Sequence, residues 1–207
     1  MKTELNSLDE RLADFANIWE KMGGDDQLVV RNEPLMAYLN SGGFFTAPAS
    51  TKYHGAYEGG LYDHSRMVAM RLHVLTINNG LKWRRPESPF IIGMFHDLCK
   101  CDQYVLTEEP EKIMFAGQDI TPVGAEPVMK YVYNENTLLK GHGAKSVMIL
   151  SQYINLTEEE MLCIRFHMGA YEKTEYDWND LDRAIKYCPN TFWVHVADML
   201  ASKIDRV

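Results

Sequence analysis

The most demanding residue in this chain is an aspartate inside an apolar run. His96 and Asp97 lie within MFHDLC, and a carboxylate removed from water without a partner costs several kcal/mol. A divalent cation compensates such a group well. Four further residues, His64, His142, His167 and Asp198, share expected helix faces with apolar neighbours, as His64 does with Leu61 and Val68, and Asp198 with Val194 and Ala201. A lone inward histidine is ordinarily a hydrogen-bonded core residue. Inward stations on several separate helices are harder to satisfy one by one, because each buried ionisable group needs its own partner. The order H…HD…H…H…D is enough for two metal ions, one on His64, His96, Asp97 and Asp198, the other on Asp97, His142 and His167, with Asp97 bridging. His73 is nine residues beyond His64, about half a turn round the helix, and is expected to face solvent.

The elements that must position these residues can be read from periodicity and punctuation. Ser7 and Glu10 form a capping-box pair, followed by Leu8, Leu12, Phe15, Trp19 and Met22 at helical spacing until Gly23-Gly24. A short helix is expected over 33–40. From Phe44 to Gly60 there is no sustained period, which predicts an ordered loop lying over another part of the structure. The next helix carries Leu61, His64, Val68, Leu72 and Leu75 on one stripe and closes at Asn79-Gly80. Ser88-Pro89 opens another, expected to run through FIIGMFHDLCK. The stretch from Asp102 to Leu139 holds Pro110, Pro122 and Pro127 and a β-prone YVYN around Tyr131, so a loop with a small hairpin is expected. Helices resume over His142 to Tyr153, after the capping box Thr157 to Glu160, over 179–187, and from Asn190 onward. The expectation is a single, mostly helical domain without repeats.

With 207 residues, 46% of them hydrophobic, the chain is long enough to bury a core. Its 29 acidic against 21 basic residues give a net charge of -8, which disfavours a long nucleic acid but not a small nucleotide. The N-terminal MKTELNSLDERLADF has no apolar signal region and no stretch is uncharged for long enough to span a membrane, so a cytoplasmic protein with no membrane partner is expected. Its four cysteines, Cys99, Cys101, Cys163 and Cys188, lack a second pair at zinc spacing and are expected to be reduced thiols.

The segments GGLYDHS, FHDLCK, GHGAKS, RFHMGAYE and HVADMLASK, together with the preceding YHGAYEGGL, resemble the HD-domain superfamily of metal-dependent phosphohydrolases, especially bacterial and phage members. The resemblance covers about residues 44–205, leaving 1–43 as an N-terminal helical extension of a single HD domain. It implies an all-α helical bundle and a mono- or binuclear site that hydrolyses phosphate esters or anhydrides, in the cytoplasm of a bacterium or of a phage's host. Two departures stand out. Cys99 replaces the glycine of the common HDxGK, and His167-Met168 replaces a histidine pair found in some relatives.

Within that resemblance, the expected function is cleavage of a small nucleotide-like phosphate compound by a hydroxide bridged between cations. Imidazole-rich ligation favours one or two ions of Mn, Fe, Co or Ni over Mg. Asp97, Lys100 and His54 are the expected catalytic residues: Lys100, three after Asp97, neutralises phosphoryl charge, and His54 contacts a phosphate or gives a proton to the leaving group. Gly59 and Gly60 let backbone come near the ligand, Lys145 reaches the same phosphate, and His195 lines the pocket or orients Asp198. Tyr53, Tyr57, Tyr104 and Trp193 are candidates to stack on a base. The same six ligands also occur in relatives that hold two irons and activate dioxygen, so a diiron oxygenase is the alternative. Substrate identity and oligomeric state are not legible.

Overall fold

The computed structural model describes residues 5, 7–21, 32–115, 117–139, 141–171 and 175–207. The expected stripe residue Met22 and the stop at Gly23-Gly24 lie outside the described residues. The chain is mostly helical. Eight α-helices occur among the described residues: α1 (Leu8–Lys21), α2 (Glu33–Ser41), α3 (Gly60–Asn79), α4 (Ser88–Phe95), α5 (Gly143–Leu150), α6 (Glu158–Arg165), α7 (Glu175–Tyr187) and α8 (Asn190–Met199). None of the helices is long and apolar enough to cross a membrane among the described residues.

Local chemistry sets many of the boundaries. The Ser7 hydroxyl accepts from the Glu10 N–H at the start of α1, and Asn32 caps α2 by accepting from the Leu35 N–H at 3.0 Å. Thr157 and Glu160 complete a reciprocal capping box on α6. The approach loop is ordered by its own backbone bonds, Gly59 N–H to Thr46 O at 2.8 Å and Leu61 N–H to Ala47 O at 2.9 Å.

One core serves the whole helical body. Phe15 and Trp19 from α1 pack with Phe44 and Phe45 of the approach loop, Tyr62 of α3, and Phe90 and Phe95 around α4. The Trp19 and Phe90 rings meet edge to face at 4.5 Å. At the crossing of α3 and α4, a Cβ on Gly93 would lie 2.4 Å from the Ala69 Cα. Only glycine permits that approach.

Two expectations about the elements are corrected. The helix expected through FIIGMFHDLCK stops at Phe95: His96 and Asp97 form a turn, and Leu98–Cys101 is a single 3₁₀ turn. Asp97 leaves the helical region at φ -108°, ψ 21°, which lets its carboxylate swing off the helix face. The segment 102–139 is more than a small hairpin. β1 (Tyr104–Pro110) pairs antiparallel with β4 (Pro127–Tyr133), and β2 (Ile113–Phe115) pairs antiparallel with β3 (Gln118–Ile120) in the stretch between them. Pro110 and Pro127 face each other at the end of the longer ladder, where a missing N–H costs little.

Candidate metal centre

Three buried imidazoles are oriented by main-chain oxygens. The Nδ1 of His96 lies 2.8 Å from the carbonyl of Gly93, and that of His167 2.8 Å from the carbonyl of Ile164. In each case the acceptor is three residues earlier, in the last turn of α4 or α6. His64, in the first turns of α3, meets the Val207 oxygen instead, also at 2.8 Å. The oxygen can only accept, so each Nδ1 carries the hydrogen, and in the neutral ring it is Nε2 that offers the lone pair. All three Nε2 atoms are buried and make no hydrogen bond.

They surround Asp97, 2% exposed. His96 Nε2 and His64 Nε2 lie 3.3 and 3.7 Å from its Oδ2, and His142 Nε2 and His167 Nε2 lie 2.9 and 3.4 Å from its Oδ1. Although His142 is close enough in distance, the pair is not aligned as a hydrogen bond, and both atoms are left without one. Asp198 on α8 adds a carboxylate oxygen 3.2 Å from His64 Nε2. The Nε2 atoms of His64, His96, His142 and His167 and Asp97 Oδ1 thus lie buried around one point without hydrogen bonds, an arrangement that a cation between them would satisfy.

Electrostatics keep the carboxylates anionic. Burial pushes Asp97 up, but Lys100, His96 and His142 outweigh it and hold its carboxyl well below the usual range. Asp198 is likewise lowered, its burial offset by His64, 3.2 Å away. His142 is pushed down by burial, against the opposing pull of Asp97. Lys100 Nζ sits 2.7 Å from Asp97 Oδ2, and Asp97 keeps it charged despite burial. The side chains of His142 and Asp198, 27% and 15% exposed against 2% or less for the others, mark the side from which solvent reaches the centre.

All six ligand candidates read from the sequence therefore meet, but helix periodicity does not account for their positions. His64 and Asp198 lie within helices. His96 is the C-cap of α4, His142 the N-cap of α5, and His167 lies in the turn beyond α6. A Cβ on Gly143 would lie 2.3 Å from the Arg165 oxygen, so the end of α6 and the start of α5 are in contact there, and the His142 and His167 rings come within 5.0 Å. The most compact sets of ligand atoms are His64, His96 and Asp97; His96, His167 and Asp198; and Asp97, Cys99 and His142. Cys99 was not expected at the centre. Its Sγ is 3.5 Å from His142 Nδ1, and burial followed by Asp97 pushes the thiol up to about 12, so it stays protonated and a weak ligand.

The surrounding residues divide. His54 reaches the centre, its ring 4.8 Å from that of His64; Ser50 braces it by donating to the His54 oxygen at 2.8 Å. Lys145 pairs with Asp102, tying α5 to the end of the 3₁₀ turn rather than facing the centre. His195 Nδ1 donates to the His167 oxygen at 2.9 Å and so braces the backbone of His167 rather than Asp198. Gly59 and Gly60 have packing roles. A Cβ on Gly59, at φ +85°, would lie 2.0 Å from Arg11 Cζ, and one on Gly60 2.0 Å from the Gly55 oxygen. Arg11 crosses Gly59 to reach buried Asp63, which Tyr57 also bonds at 3.0 Å. Sequence reasoning missed Arg11 and Asp63; the one available signal was a second carboxylate next to His64 in an apolar helix. Tyr53 is exposed, Tyr104 rests against Tyr133, and Trp193 against Phe192. His73 is half-buried rather than solvent-facing.

No family model matches the chain, and searches of curated proteins and of solved structures gave no match either.

Proposed function

We propose that this chain is a metal-dependent phosphohydrolase of the HD-domain type, cleaving a phosphate ester or anhydride of a small nucleotide-like substrate. One observation carries the reading: the buried Nε2 atoms of His64, His96 and His167, which make no hydrogen bond, converge on the Asp97 carboxylate, while their Nδ1 atoms are tied to main-chain oxygens. A divalent transition ion fits that donor set in chemistry and number. His64, His96, Asp97 and Asp198 would hold one ion, and His142 and His167 would share Asp97 for a second. When bound, the metal would supply Lewis acidity toward a phosphoryl oxygen and toward water. The chain's own residues do the rest. Lys100, fixed on Asp97, places a permanent positive charge beside the reacting phosphoryl group, which favours an anionic substrate. His54, held neutral by burial and braced by Ser50, is placed to donate a hydrogen bond to a phosphoryl oxygen of the substrate.

The test is to load purified protein with Mn or Co in an oxygen-free chamber and offer a panel of nucleotides. Release of phosphate, pyrophosphate or triphosphate, with solvent oxygen-18 in a product and loss of metal in Asp97→Ala, is the expected result. Absence of metal uptake and of any metal-dependent rise in Tm would make the cluster structural. Turnover only with iron and only in air, with matching oxygen uptake, would replace the hydrolase with a diiron oxygenase.

A further inference from the structure

We infer that the segment from Leu200 to Val207 is a positioning device for His64, a role that rests on His64 being a metal ligand as proposed above. His96 and His167 find their acceptors in their own terminal turns. His64 differs: it lies within α3, and its acceptor comes from the far end of the described chain, the oxygen of Val207.

The backbone takes an unusual path to deliver it. Beyond Met199 the chain winds as π-helical turns over Leu200–Asp205, a rare form that recurs near functional sites. Arg206 then adopts φ 63°, ψ 33°, and is the only non-glycine residue with positive φ among the described residues. Such a conformation persists only where its surroundings impose it. Its result is that Val207 is buried, with its oxygen directed at His64 Nδ1. A second tie supports the first. Arg71 Nε donates to Asp205 Oδ2 at 2.7 Å, and Arg71 Nη2 bonds the other carboxylate oxygen. Arg71 is seven residues after His64 and hence on the same face of α3, so the segment is held along that face at two points. Arg206 also closes the π-helical turns, its N–H donating to the Ala201 oxygen, and the left-handed turn it makes there carries the Val207 oxygen to the His64 ring. By holding Nδ1, the segment turns Nε2 toward Asp97 and Asp198.

Arg206 is exposed, so substitutions there act chiefly through the backbone. Arg206→Gly accepts the positive φ, whereas Arg206→Pro forbids it. With Co(II) as the probe, Arg206→Gly should bind within about twofold of wild type. Arg206→Pro should bind roughly 10–100-fold more weakly, as loss of a ligand's supporting bond does, with a changed visible spectrum of the bound cobalt. A proline variant with wild-type affinity and spectrum overturns the inference. Imidazole nitrogen-15 spectra of metal-free wild type provide a second readout that does not depend on the variant folding. They should show a hydrogen on Nδ1 of His64, and a neutral ring protonated on Nε2 overturns the inference. Wild type that takes up no Co(II) defeats the metal reading itself, while uptake equal in wild type and the proline variant defeats only the role of this segment.

Discussion

His54 makes the electrostatics of the centre measurable without metal. Burial first, then His64 and Lys100, lower its pKa to about 3, against about 6.5 in an unfolded chain. The unfolded state therefore takes up the proton first. Stability is full above pH about 6.5, falls as the pH drops through that value, and goes on falling toward 3. His142, also lowered by burial, acts in the same direction. Asp97 and Asp198 are held low, so their contribution is present above about 3.9, the unfolded carboxylate value, and is lost only as the pH falls below it. Melting curves of metal-free protein between pH 7 and pH 4.5 should thus report the imidazoles, with Tm decreasing toward acid. His54→Gln should show a shallower decrease. An identical slope in the two proteins would mean that His54 is not held neutral by its surroundings.

At the scale of elements, the centre depends on how closely helices approach. α3 brings His64 and α4 brings His96, and they cross where Gly93 meets the backbone of Ala69. Gly93→Ala should push the helices apart, costing about 1–3 kcal/mol as overpacking does, and should weaken cobalt uptake through the displaced His64–His96 pair. Urea unfolding and a cobalt titration measure the two effects; a variant unchanged in both would show the crossing to be loose. This crossing also shows what the sequence made legible. The helices of the body and the types of all six ligand candidates could be read, because apolar periodicity and ionisable residues within it are local signals. The stops before His96 and His167 could not, since a period does not mark where a helix ends to turn a side chain inward, whereas the start at His142 was read. The ribbon was underestimated because Val105, Leu106, Met114 and Phe115 are exposed, so no one-sided burial imposed an alternating pattern. Lys145 and His195 were read toward the centre because proximity in sequence to a ligand says nothing of a competing partner such as Asp102 or the His167 oxygen. Cys99, Arg11 and Val207 act through partners 43, 52 and 143 positions away, beyond the reach of any local pattern.

At the scale of the whole molecule, the donors come from α3, the turn after α4, the start of α5, the turn after α6, and α8, so they bracket most of the chain. That spread has a kinetic consequence. Bringing His64 and Asp198 together requires closing a long loop and docking α8, which local helix formation does not achieve. A transition state built largely from local helical contacts will not yet contain the donor set, and an ion that binds only the finished set cannot stabilise that state. Cobalt should therefore leave the refolding rate of the metal-free chain nearly unchanged and slow unfolding in proportion to the stability it adds, as stopped-flow measurements with and without the ion would show. Accelerated refolding would mean that the donors gather early. In the expected case a bound ion would be the last part acquired and the first to leave, and the protein's lifetime, rather than its speed of formation, would follow the supply of the ion.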